Sequence, residues 1–402
     1  MLGTSTEDAT STPRGLLKSG RTKEFVERYR YFYSSYTCSY SCGGSMSTLN
    51  TKGGKMKVCL IGKYFDFRGG GLGRFAMEMR DGLQRAGIEV ETISAPDSAY
   101  ESLVHYFNYT SVGVKSQIGR SNADVFHALT PMEGIHLPYK KSIVTIHDLH
   151  FWLYPELGGT NLNRGPTAKA KQKLGSQYFK FGCRQSAKRS EWIVTDSEMV
   201  MDQVLWNISR PNSRGLKVIR PGIRPDLEPQ PKPDNVFRIG YLGQLDRRKR
   251  IDLLIKAFIQ SDINGELVIA GFGLDGDVLK SVAGRDHRVK FLGELADEEI
   301  CEFYNSLDWF VFPTKVEGYG LPIVEAMACK KPVVVLGDAL IPDEIKDKCI
   351  RTEDLVHLLN SINGMELQDN ALLENNYKFA KSHDWDKCVA EYIKLYKDIY
   401  NV

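Results

Sequence analysis

Apolar positions along this chain keep two rhythms, and the alternation between them predicts the fold. Lys57-Val58-Cys59-Leu60-Ile61-Gly62 is a nearly continuous apolar run ending in glycine, the pattern of a strand buried on both faces. A glycine loop follows. Leu72, Phe75, Ala76, Met79 and Leu83 then recur at helical spacing until Gly87 closes the segment. Ile88–Ile93 predicts the next strand, and Asp124–His127, Ser142–His147 and Trp192–Thr195 predict three more. Strands that alternate with helices imply a mostly parallel, doubly wound sheet.

A proline-rich stretch breaks the pattern between Arg220 and Pro233, where Pro221, Pro225, Pro229 and Pro231 also fall. No regular element runs through such a segment, which reads as a linker. Beyond it the pattern restarts. Strands are expected at Phe237–Leu242, Glu266–Ala270, Val289–Phe291, Trp309–Phe312 and Pro332–Leu336, with a helix at Ile251–Ile259. The expected organisation is a Ser/Thr/Tyr-rich disordered tail over 1–54, holding at most a short helix at Glu24–Tyr29, then α/β domains over 55–222 and 223–382. A last helix is expected over 383–402, where Trp385 and the residues to Tyr400 resemble a terminal helix that crosses back onto the first domain. Two doubly wound sheets facing each other leave a cleft at the carboxyl ends of their strands, where such sheets bind ligands.

Composition narrows the class. The chain has 402 residues, 42% of them hydrophobic, enough for two sizeable cores. A formal charge of +3 argues against a dedicated nucleic-acid binder. No apolar run approaches the roughly 18–20 residues that span a bilayer, and the tail lacks the apolar stretch of a signal peptide. Cys59 falls in a buried strand, Cys329 beside a helix end, and Cys301 and Cys388 stand alone. Reduced thiols in a cytoplasmic protein are the simplest reading. Cys38 and Cys42 form a C-x3-C pair, but no second pair or nearby histidine completes a metal site.

Four stretches carry candidate chemistry. The first is EGYGLPIVEA at 317–326. Pro322 suits a first helical turn, so the amides near Gly320, Leu321 and Ile323 point from a helix N-terminus, which favours an anion. Gly318 and Gly320 let backbone approach a ligand. Glu317 and Glu325 stand on either side, and carboxylates accept paired hydrogen bonds from vicinal hydroxyls. A phosphate flanked by two sugars satisfies all three, although the stretch alone also fits an ordinary strand–loop–helix. The second is Arg68-Gly69-Gly70-Gly71-Leu72-Gly73-Arg74, a phosphate cradle in form or merely a tight turn. No acid follows the second strand, which reads Ser94-Ala95-Pro96, so a nicotinamide-dependent oxidoreductase is disfavoured. The third is GQLDRRKR at 243–250, whose cations either neutralise a diphosphate or form a solvated run. The fourth is TIHDL at 145–149, which puts His147 at the cleft edge, as a site residue or a structural histidine.

In this order, these stretches resemble the retaining glycosyltransferases of family 4, over about residues 56–400. Thr195-Asp196-Ser197-Glu198, Ala270-Gly271-Phe272-Gly273 and EGYGLPIVEAMACKKPVVV at 317–335 join the resemblance, with Glu317 and Glu325 at the family's E-x7-E spacing. It implies a GT-B fold and a nucleoside-diphosphate sugar as co-substrate, with no cofactor and no metal. Glu325 is then expected on the ribose diol, and Glu317 on the transferred sugar. Lys249 and Arg248 are expected on the diphosphate, with Gly71, Gly73 and the amides from Gly318 and Tyr319 to Ile323. His147 falls near sugar and acceptor, and Phe291 and Leu292 near the base. The sequence departs from the family at Gln244, where arginine is common, at Lys330, where glycine is usual, and at Pro342-Asp343-Glu344. The first puts one diphosphate contact in doubt.

The resemblance implies transfer of a hexose with retained anomeric configuration, from the face of the leaving diphosphate, without Glu317 as nucleophile. Mannose or glucose, from GDP-mannose or UDP-glucose, is favoured on that basis alone, with a glycan or lipid-linked acceptor. A GT-B protein that binds a nucleotide sugar without transferring it, or an epimerase, is the alternative. Finally, 164–189 carries Lys169, Lys171, Lys173, Lys180, Arg184, Lys188 and Arg189 around Leu174, Tyr178, Phe179 and Phe181. It predicts either an amphipathic helix on anionic lipid, giving peripheral contact with the inner face of a membrane, or a surface helix packed by its aromatics.

Overall fold

The alternating pattern folds into two six-stranded parallel sheets. The computed structural model describes residues 56–66, 70–97, 103–157, 166–208 and 214–401. The tail, with Glu24–Tyr29, Cys38 and Cys42, lies outside the described residues, as do Arg68, Gly69 and Arg164.

In the first half, β1 (Lys57–Gly62), α1 (Gly71–Arg85), β2 (Glu89–Ser94) and the helical run α2 (residues 103–118) precede β3 (Val125–Ala128) and β4 (Ser142–Ile146). Then come α3 (Pro166–Arg189), β5 (Trp192–Thr195), α4 (Glu198–Asn207) and β6 (Gly215–Val218). The order across the sheet is β2-β1-β3-β4-β5-β6. The second half holds β7 (Arg238–Leu242), α5 (Ile251–Gln260), β8 (Glu266–Ala270), α6 (Gly276–Ala283), β9 (Val289–Gly293) and α7 (Asp297–Ser306). It closes with β10 (Trp309–Val311), α8 (Leu321–Ala328), β11 (Val333–Leu336), β12 (Ile350–Thr352) and α9 (Asn370–Lys381), in the order β12-β11-β10-β7-β8-β9. The residues between β6 and β7 form no helix or strand, as their prolines require. The short edge strands β6 and β12 were not predicted. Three or four residues on a sheet edge carry too little apolar pattern to announce themselves.

Strand order reverses beside β1 in one sheet and beside β7 in the other. At those points consecutive crossovers leave in opposite directions, so the loops after β1, β7 and β10 open a crevice at the strand ends. Val58, Leu60, Val125, Ile143 and Val194 bury one face of the first sheet against α1 and a last helix, α10 (Trp385–Tyr400). Gly82 lets α1 and α10 meet, since a Cβ there would lie 2.6 Å from Val389 Cγ2. The opposite face packs against Val114, Trp152, Cys183 and Ala187. Leu72, expected on the inward face of α1, is 43% exposed at its first turn. The six described cysteines are all buried and free.

A buried polar chain fixes α10 to the sheet. His127 of β3 has Nδ1 2.7 Å from the Tyr396 hydroxyl and Nε2 2.8 Å from Thr145 Oγ1, and Thr145 in turn meets the Tyr392 hydroxyl at 3.1 Å. Burial, with His147 nearby, pushes the His127 imidazole down from 6.5 to about 3. The folded protein therefore holds it neutral, while the unfolded chain takes up a proton below pH 6.5. His127 should thus cost stability as pH falls from 6.5 towards 3, by up to about 1.4 kcal/mol per pH unit. Denaturant melts across that range should show a shallower pH dependence for His127→Gln; an identical dependence rules the linkage out.

Candidate active site

Four loops meet in the crevice: those after β1 and β4 from the first half, and those after β7 and β10 from the second. The loop after β7 begins with Gly243 and ends in a short turn, Arg247–Lys249. Asp246 caps this turn by accepting from the Lys249 amide at 3.2 Å. Arg248 and Lys249 of this turn reach the loop after β10.

Glu317 receives them there. Its Oε1 accepts from Lys249 Nζ at 2.6 Å, Thr314 Oγ1 at 2.6 Å and Arg248 Nη1 at 2.9 Å. Arg248 also donates to the Val316 carbonyl at 3.0 Å, and the Lys249 ammonium lies 4.8 Å from the centre of the Phe312 ring. Burial opposes ionisation of Glu317, but Arg248 and Lys249 outweigh it and hold the carboxyl down at about 2. Lys249 is shifted below its ordinary value by burial and by Arg248 beside it. The result is a desolvated cluster in which Arg248 and Lys249 share Glu317, with Asp246 Oδ2 3.4 Å from Arg248 as a second carboxylate.

Gly320 starts α8 with φ +101°, a conformation that L side chains rarely adopt. Pro322 occupies the first turn, and the Ile323 amide is spent on the Gly320 carbonyl at 3.0 Å. Glu325, one turn inside the helix, accepts from the Tyr304 hydroxyl at 2.9 Å. Burial raises its carboxyl pKa, against the Tyr304 hydrogen bond and the charges of Arg74 and Arg224.

Glu325 opens into a cavity of about 650 Å³ walled by both halves: Gly70, Gly71 and Arg74 on one side, Gln244, Leu321 and Pro322 on the other. That volume is typical of small-molecule sites. A second cavity, about 580 Å³, is lined by His150, Phe151, Asp246, Arg248 and Leu274. Gln244 and Phe272 border both.

Other residues expected at the site lie elsewhere. Gly73 packs away from the cavity: a Cβ there would sit 2.0 Å from the Asp66 carbonyl oxygen, so its small size serves loop packing. Phe291 packs against the core and Leu292 is exposed. The residues that reach the cavity, Glu294, Leu295 and Ala296, come just after them. Tyr319 is buried, its hydroxyl bonded to His383 Nε2. Ile323 is wholly in the core. His147 lines neither cavity. Its Nδ1 pairs with Asp196 Oδ2 at 2.8 Å and its Nε2 lies 3.0 Å from the Leu129 carbonyl. Burial pushes its pKa down, but Asp196 outweighs this and leaves it raised. With an acceptor at each nitrogen, the ring braces the strand end. It is Asp148 and His150, joined at 2.5 Å, that continue towards the second cavity.

The sequence reading also passed over a bridge between the halves. Arg74 Nη1 donates to Asp297 at 2.7 and 2.9 Å, and Arg224 of the linker pairs with the same carboxylate at 2.8 Å. All three line the larger cavity. Nothing local marks Asp297 as special, since it stands among Glu298 and Glu299 in an acidic first turn. Among the described residues, no three His, Cys, Asp or Glu side chains are grouped to hold a metal ion.

Two facing doubly wound sheets, a cleft between their strand ends and a terminal helix returning to the first half define the GT-B class. Residues 223–351 match the family model of glycosyl transferases group 1. It is 24% identical over 295 residues to the O-antigen chain mannosyltransferase B of Escherichia coli, covering 66% of this chain and 72% of that one. Sucrose-phosphate synthase from Thermosynechococcus elongatus superposes with a TM-score of 0.65 at 17% identity, covering 86% of this chain and 100% of that one. Anabaena HepE in complex with UDP and glucose gives 0.61 at 18% identity, covering 85% and 100%.

Gly318 holds the halves in register. A Cβ there would fall 1.9 Å from the His147 carbonyl oxygen, and the Gly318 carbonyl accepts from Ser197 Oγ at 2.9 Å. Gly318→Ala should therefore push the β10 loop off the first half and cost about 1–3 kcal/mol. A denaturant melt matching the unsubstituted protein would show that the approach is looser than this.

Proposed function

We propose that the chain is a retaining, metal-independent hexosyltransferase that uses a nucleoside-diphosphate sugar and passes the sugar to a hydroxyl of a glycan or lipid-linked acceptor in the cytoplasm. The observation that carries this reading is the buried cluster of Lys249, Arg248 and Glu317, of which Arg248 lines the smaller of two cavities that share Gln244 and Phe272. The nucleoside takes the larger cavity, with its ribose diol on Glu325. The sugar takes the smaller one. The diphosphate crosses between them at Gln244, with Arg248 on the wall of the smaller cavity, Leu321 on that of the larger, and Lys249 held beside Arg248 by Glu317. The match to a mannosyltransferase favours mannose, and hence GDP-mannose, over UDP-glucose.

The chemistry follows from charge. As the glycosidic bond breaks, negative charge grows on the diphosphate, and preorganised cations in a desolvated site act most strongly at that moment. Glu317 is poorly suited as a nucleophile, because its Oε1 already accepts from three donors. It holds the two cations in place and presents its remaining oxygen to the sugar. The incoming hydroxyl attacks on the face the diphosphate leaves, and the departing diphosphate takes its proton. Burial raises the Glu325 pKa, and ribose hydroxyls would give its carboxyl hydrogen-bond partners beside Tyr304.

Nucleotide release from GDP-, UDP- and ADP-sugars, with chelator present, tests the proposal. Release from one donor identifies base and sugar. Release only when a divalent metal is restored overturns metal independence. Donor binding by calorimetry without turnover on any acceptor supports a binding protein instead. Lys249→Ala should lower turnover by about 10- to 1000-fold; unchanged turnover would remove Lys249 from the leaving-group site.

A further inference from the structure

The helix α3, which carries the basic segment, has one packed stripe and one exposed stripe. Its inward stripe is packed: Ser176, Cys183, Ser186 and Ala187 are buried, and the Phe179 ring lies 6.1 Å from that of Phe151. Its outward stripe runs Leu174, Gln177, Phe181, Arg184 and Lys188, all exposed. Leu174 is 73% exposed and Phe181 48%. The neighbouring run α2 extends the surface. Tyr178 Oη lies 2.5 Å from Thr110 Oγ1, and the Phe107 and Tyr178 rings are 5.1 Å apart. On α2, Val104, Phe107 and Val112 are exposed. Between them the two elements contain no aspartate or glutamate, in a chain whose acids and bases nearly balance overall.

We propose that this α2–α3 face docks on an anionic lipid bilayer. Aliphatic and aromatic tips ringed by long cationic side chains match the boundary between acyl chains and headgroups, where the tips enter and the ammonium groups stay with the lipid phosphates. Two elements without a single acid have little to repel such headgroups and little to pair with a basic protein. The face also adjoins the cleft. Phe151 lines the smaller cavity, and a Cβ on Gly175 of α3 would touch its ring at 3.3 Å. Phe151 thus joins that cavity wall to α3. On the transferase reading above, this favours a lipid-borne acceptor; the docking itself does not depend on that reading.

The test is co-sedimentation of the full chain with phosphatidylcholine vesicles, with and without phosphatidylglycerol. Binding should require phosphatidylglycerol and weaken in high salt. A triple variant, Lys169→Gln with Lys171→Gln and Lys173→Gln, should bind about 100-fold more weakly. Leu174→Ser with Phe181→Ser should also release the protein, while its melting temperature and nucleotide release stay unchanged. Three results would overturn the proposal: no binding to anionic vesicles, undiminished binding by the Leu174/Phe181 variant, or a wild-type dimer that this variant converts to monomer. A protein that binds vesicles but releases nucleotide from no donor would instead sink the transferase reading and leave this one standing.

Discussion

A charged carboxylate taken out of water has to be neutralised where it lies, and much of this site follows from how Glu317 meets that requirement. One oxygen draws Lys249, Arg248 and Thr314 to a point, which fixes the loop after β7 against the loop after β10. Removing either partner of such a pair strands the other charge. The arrangement therefore holds two cations desolvated and pre-aimed before any ligand arrives. An anionic group at Gln244 would meet Arg248 on the wall of the smaller cavity.

The halves are joined by contacts of different character. Gly318 brings backbone against backbone beside His147, and no side chain fits between. Arg74, Asp297 and Arg224 bridge the mouth of the larger cavity through charge. Behind the cleft, Arg220 pairs with Glu344, and the neighbouring Tyr319–His383 bond ties the β10 loop to the residues that lead into α10. Steric contact sets the register, whereas ion pairs tolerate small rotations. A cleft built this way can adjust its opening without losing its alignment.

Some expectations about the site rested on residue type and others on geometry, and the two kinds fared differently. Glu317, expected on the sugar, and Lys249 and Arg248, expected on the diphosphate, instead pair with one another, because unlike charges in a desolvated loop have few other partners. Gly73 and Tyr319 share the same motifs yet point elsewhere, one into a loop carbonyl and one towards His383. His147 stands on the predicted strand end, but Asp196 and the Leu129 carbonyl occupy its nitrogens. Those partners lie 49 and 18 residues away in the chain, beyond any local pattern.

The sequence by itself determined the parallel α/β character, the central strands, the linker and the loops that carry charge. Each depends on neighbouring residues: apolar runs, helical spacing, prolines, and glycines where backbone must turn. Tertiary structure alone decided which of those side chains share a cavity, because that depends on contacts between loops far apart in the chain. It decided that Asp297 rather than its acidic neighbours meets Arg74 and Arg224, and that Glu294 to Ala296 rather than Phe291 and Leu292 line the cavity. It also split α3 into a packed stripe and an exposed one, since burial is a property of what a helix lies against.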